Sequence, residues 1–223
     1  MRRPFLLSLA SCSLGFAAAS AFPLRVDAAP DLLNGSFEDP VRPANSILSG
    51  NGGTFWTANN SNVNLISNNF GNLGTTPYGN QYIGFSLTGA SDQQTVSGFL
   101  AGQSYVLTLF FADIANNANP QLTVTISGAA SATGIFNAPV SGPNGANPYP
   151  FQQAQVLFTT IADGDITVAL TDSGSASVAV DNVSLTSVPE PSPFAMILLA
   201  VTMAVGFCSR SAKRRVSDHR QKV

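Results

Sequence analysis

Short runs in which apolar and polar residues strictly alternate set the folding options of this chain. Leu122, Val124 and Ile126 alternate with Thr123, Thr125 and Ser127. Ile166, Val168 and Leu170 alternate with Thr167 and Ala169, and Ile83, Phe85 and Leu87 with Tyr82, Gly84 and Ser86. A period of two puts each apolar set on one face of a sheet. Between the runs, Asn, Gly, Ser, Thr and Pro recur at short intervals, which predicts many short strands joined by turns. The expected fold is all-β: an antiparallel β-sandwich with one core.

Finer features follow from the same pattern. Tyr105 to Phe111 is apolar except at Thr108, which predicts a strand covered on both faces. Asp163-Gly164, between Gln155–Thr160 and Asp165–Thr171, predicts a hairpin. In Ser177–Thr186, Val178 and Val180 share one phase and Val183 and Leu185 the other. That flip, centred on Asp181-Asn182, predicts a bulge, a sharp bend or a strand covered on both sides. Phe55-Trp56-Thr57 reads as strand. Asn45–Thr54, Asn68–Gly79 and Ala138–Pro150 read as loops.

The two ends read differently from the middle. Met1-Arg2-Arg3 followed by an apolar stretch and the small residues Ala19-Ser20-Ala21 predicts a secretory signal helix within residues 1–28. Phe194 to Cys208 holds fifteen uncharged residues and is followed by Arg210, Lys213, Arg214 and Arg215. At 1.5 Å per residue it spans roughly 22 Å. It predicts a single short transmembrane helix over 193–209, with the basic tail 210–223 on the cytoplasmic side. The sandwich then occupies 29–187, outside the cytoplasm.

Charge and absences narrow the chemistry of the middle. From Ala29 to Glu190 there is one basic residue, Arg42, against ten acids, a net charge of −9. Such a surface repels a polyanion, so nucleic acid is not an expected partner. The one histidine is His219, and both cysteines, Cys12 and Cys208, lie in the end segments. A Ser-His-Asp triad, a Cys-His pair, a histidine zinc site and a disulfide are all excluded from the sandwich. Paired carboxylates are the one catalytic route left, and the acids, Asp163 and Asp165 among them, sit mostly in turns or at strand ends. The expectation is a protein that is not an enzyme.

"LLNGSFEDP" (Leu32–Pro40) opens the middle and "VAVDNVSL" (Val178–Leu185) closes it, with Trp56, Gln93–Ala112 and "FTTIADGDITVAL" (Phe158–Leu170) between. This order resembles the galactose-binding-like jelly rolls, which include many carbohydrate-binding modules. The resemblance implies a jelly-roll sandwich and a structural calcium where the first and last strands meet, at Glu38 and Asp181. Oxygen ligands suit that ion, but two carboxylates alone do not define a site. For sugar binding, exposed rings are required: Tyr78 and Tyr149 in Pro- and Gly-rich loops are the better candidates, followed by Tyr82 and by Trp56, whose indole is equally a core residue.

The tail carries a second resemblance. "VPEPS" (Val188–Ser192), a short apolar helix and "RSAKRR" (Arg210–Arg215) are similar in order to a PEP-CTERM sorting signal. This implies processing by a membrane enzyme of the exosortase class, with Pro189, Glu190 and Pro191 as the residues it recognises. Residues 216–223 continue past the basic cluster, a departure from the commonest pattern. The chain is thus expected to be an exported cell-surface or exopolysaccharide-matrix protein, tethered through its C-terminal helix, whose sandwich contacts polysaccharide. The alternatives are a structural envelope or biofilm protein without specific glycan binding and, third, a carboxylate glycoside hydrolase.

Overall fold

The computed structural model describes residues 28–71, 73–114, 120–138, 150–175 and 177–189. The expected signal segment, Tyr149, Glu190, Pro191, the apolar helix and the basic tail lie outside these residues. Among the described residues no helix is long and apolar enough to cross a membrane.

The fold is an all-β antiparallel sandwich. One sheet has six strands in the order β1 (Ile47–Ser49), β3 (Val63–Ser67), β4 (Gln81–Phe85), β11 (Val178–Ser187), β6 (Ser104–Asp113) and β9 (Gln152–Thr159). The other has five, in the order β2 (Thr57–Ala58), β5 (Ser91–Phe99), β10 (Gly164–Asp172), β7 (Gln121–Gly128) and β8 (Ala132–Asn137). The alternating runs deliver the core as their period requires. Leu122, Val124, Ile126, Ile166, Val168 and Leu170 of one sheet are buried against Leu107, Leu109, Phe111, Val178 and Val180 of the other. At one end Tyr105 stacks on Phe158, with ring centroids 5.6 Å apart, and meets the edge of Phe99 at 4.9 Å.

The bulge in β11 is present. Pairing with β6 slips between Asp181 and Ser184, and Asn182 takes φ 50°. The extra residue cancels the phase flip, so that Val183 joins Val178 and Val180 in the same core.

Four local expectations are corrected. Asp163-Gly164 does not close a hairpin: β9 lies at an edge of the six-stranded sheet and β10 inside the five-stranded one. Both strands turn their apolar faces to one core, and crossing between sheets serves that burial as well as pairing would. The 45–54 segment contains β1, a three-residue edge strand. The 105–111 stretch alternates in burial up to Phe110 and is covered on both faces only at Phe111, Ala112 and Asp113. Around Ile83 the alternation breaks down, because all of β4 is buried, whereas Leu87 is 58% exposed.

Candidate functional site

The loop between β3 and β4 carries the site. Asn68 closes its base: the backbone N–H donates to Asn80 O (2.8 Å), Nδ2 donates to Gly79 O (2.9 Å), and Oδ1 accepts the Thr76 N–H (2.9 Å). This folds Phe70 and residues 73–79 over the outer face of the six-stranded sheet. Phe70, Leu73 and Phe151 there cover Ile66, Tyr82, Ala112 and Ala179 in a second, smaller apolar cluster.

Thr76 is the hinge of the loop. Its buried hydroxyl donates to Asp181 Oδ2 and accepts the Tyr78 N–H at 3.1 Å. Tyr78 is thereby laid on Phe110, centroid to centroid 4.2 Å, with its edge 6.0 Å from Phe151. All three rings are half-buried. Burial, with the nearby Asp181 charge, raises the Tyr78 phenol above its ordinary range. Gln153 pairs with Phe110 across β6 and β9, and Gln155 with Thr108; Gln155 Nε2 donates to Thr108 Oγ1 at 3.2 Å. The outer face therefore offers rings bordered by exposed amides, a combination suited to the apolar face and the hydroxyls of a pyranose.

Asp181 and Glu38 are brought together. Asp181 is fully buried, and its Oδ1 accepts the Asn182 N–H at 2.6 Å. Burial pushes its carboxyl up to about 7; the Thr76 and Asn182 hydrogen bonds work against this, and the Glu38 charge adds to it. Glu38 Oε1 accepts backbone N–H groups from Asn80 (2.7 Å) and Gln81 (3.0 Å). Oxygen-only donors are the chemistry a hard divalent cation takes, but both Asp181 oxygens and Glu38 Oε1 already accept hydrogen bonds, so carbonyl, hydroxyl or water oxygens would have to supply most of any shell. Among the described residues no third Asp, Glu, His or Cys joins them. Having no exposed surface, Asp181 cannot flank a glycosidic bond.

The remaining sequence candidates separate. Trp56 is 7% exposed, packs on Phe37 at 5.3 Å and donates its indole N–H to Asn34 O at 3.2 Å; its faces belong to the core. Tyr82 is fully buried beneath Phe151. Phe110 and Phe151 were not singled out from the sequence. Strict alternation along β6 signals Phe110, since placing Phe111 in the core turns Phe110 outward.

No protein-family model and no curated protein matches this chain. Solved structures that this chain resembles include carbohydrate-binding modules. One is TmCBM61 in complex with β-1,4-galactotriose: 14% identity, TM-score 0.47, covering 71% of this chain and 99% of that one. Another is the C-terminal CBM6 of LamC, a laminarinase from Zobellia galactanivorans: 11% identity, TM-score 0.43, covering 63% and 99%. A third is a module of Cellvibrio mixtus lichenase 5A in complex with cellotriose: 12% identity, TM-score 0.41, covering 66% and 99%.

Proposed function

We propose that the sandwich binds carbohydrate on the outer face of its six-stranded sheet, with Tyr78, Phe110 and Phe151 as the stacking surface. The observation that carries this is the placement of three half-buried rings beside the exposed amides of Gln153 and Gln155. The role is a binding one, without catalysis. The sequence supports the setting: a signal-like N-terminus, then a Pro-Glu-Pro motif, a short apolar segment and a basic cluster. On that basis the chain is an exported surface or matrix protein, handled by an exosortase-type enzyme at Pro189, Glu190 and Pro191. Glu38 and Asp181 hold a structural calcium that fixes the Tyr78 loop through Thr76.

A polysaccharide array probed with the full chain tests the binding role. Binding to at least one glycan, weakened about tenfold or more in Tyr78→Ala and largely kept in Tyr78→Phe, is expected. An array silent for wild type overturns it. A structural role without specific glycan binding is the second reading, favoured by how tightly Tyr78 itself packs on Phe110. Intact mass of native protein from envelope and medium tests the handling. A C-terminus near Glu190–Ser192 is expected; a retained apolar helix and basic tail overturns processing.

A further inference from the structure

A separate cleft of about 430 Å³ is lined by Glu38, Val41, Arg42, Asn69 and Asn80 among others. Its frame is rigid. Gln81 Nε2 donates to Phe37 O (2.7 Å) and Pro40 O (3.1 Å), while Gln81 Oε1 accepts the Arg42 N–H. Ser67 Oγ donates to Ser46 O (3.0 Å) and accepts the Ser46 N–H (2.7 Å). These groups hold the chain on both sides of Arg42 and have little bonding capacity left for a ligand.

The groups with capacity are different ones. Arg42 is the only basic side chain among the described residues, and among them its guanidinium has no carboxylate partner. Its Nε is buried with no acceptor. A desolvated donor left unpaired is costly, and an arriving acceptor relieves that cost. The side-chain amides of Asn69 and Asn80 are exposed and form no hydrogen bond to other described residues. Glu38 also lines the cleft, but two backbone N–H groups already compensate its Oε1. Val41, 85% exposed at the rim, offers an apolar contact.

We infer that this cleft is a subsite for an acidic sugar, a hexuronate whose carboxylate pairs with the Arg42 guanidinium while Asn69 and Asn80 bond its hydroxyls. A planar guanidinium matches a carboxylate with two parallel hydrogen bonds, which a neutral CH2OH group does not offer. The cleft volume suits one or two sugar rings. The negative surface at large favours a single acidic residue at a chain end or branch over a polyuronate, because its distant charges are screened over about 8 Å at physiological salt. The inference rests on reading the sandwich as a carbohydrate binder and names the chemistry of a second subsite.

The test is calorimetric titration of the full chain with methyl β-D-glucuronide and methyl β-D-glucoside, which differ only at C6. The uronide is expected to bind about tenfold or more tightly than the glucoside. That preference is expected to fall as salt is raised, to vanish in Arg42→Gln and to shrink in Arg42→Lys, with each variant's Tm checked for folding. Equal affinities, no binding of either glycoside, or a preference that survives in Arg42→Gln overturns the inference. Array binding that is lost in Tyr78→Ala would then still uphold the aromatic surface. Failure of both experiments removes both subsites.

Discussion

The carboxylate of Asp92 occupies the space that a side chain at Gly52 would need: a Cβ built on Gly52 stands 1.7 Å from Asp92 Oδ2. Asp92 is fully buried on β5, where no well-formed hydrogen bond from another described residue reaches either oxygen and only the neighbouring Gln93 N–H eases its charge. Backbone of the 50–53 loop therefore packs directly on an acid. Gly52→Ala should destabilise the fold by about 2 kcal/mol or more. In an Asp92→Ala background most of that penalty should disappear. Thermal melts of the two single variants and the double variant check this; additive losses would mean that the contact is not the cause.

Stability should fall as pH rises, against the usual trend. Burial lifts the Asp92 carboxyl to about 7 and that of Asp172 to about 6. Between about pH 4, where an unfolded carboxyl titrates, and these values the folded state holds protons that the unfolded state has released. The slope of unfolding free energy with pH is therefore negative in that window. Its stabilisation is complete below about pH 4 and lost by pH 7. For Asp92 alone the swing is of the order of 4 kcal/mol. Denaturant melts from pH 4 to 8, run with chelator, should show the decline, and Asp92→Asn should flatten it while exceeding wild type at pH 8.

Calcium should act in the opposite direction at Asp181. A cation at Glu38 and Asp181 favours the charged carboxylates and offsets their repulsion, so added calcium should raise Tm and chelator should lower it. At a hundredfold excess over Kd the gain is about 2.7 kcal/mol. Asp181→Asn should abolish the response. A Tm indifferent to both calcium and chelator rules the site out.

The bulge gives a backbone prediction. Asn182 sits at φ 50°, a region costly for β-branched residues. Asn182→Val should cost about 1–2 kcal/mol, whereas Asn182→Gly should stay within a few tenths of wild type. Chemical denaturation of both variants distinguishes this from a side-chain effect, in which Gly would lose as much as Val.

The inward faces of the strands were legible because burial imposes its period on each strand separately. Leu122, Val124 and Ile126 announce their face with no partner in view, and the flip at Asp181-Asn182 announces a break in the pattern for which a bulge was one of three readings. Sheet membership left no such trace. A strand ending at Thr159 and one starting at Gly164 look the same whether they pair or face each other across a core. The site was half visible. Tyr78 stood out in its loop, whereas Phe110 lies in an apolar run, and only the alternation counted back from a core Phe111 turns it outward. Arg42 was visible only as an isolated charge; that its side chain has no carboxylate partner among the described residues depends on how the chain folds around it.

β11 comes last among the described strands, yet it lies in the interior of its sheet, hydrogen-bonded to β4 on one side and β6 on the other. Any pull on the chain beyond Pro189 thus enters the domain along the axis of an interior strand. Its bonds to β6 over Ser184–Ser187, and beyond the bulge those to β4 and β6 at Val178–Val180, are loaded in shear along the strand. A domain hung from its C-terminal side is in this way gripped where it resists best. Loss of that one strand would leave β1–β3–β4 and β6–β9 as two detached pieces of a sheet.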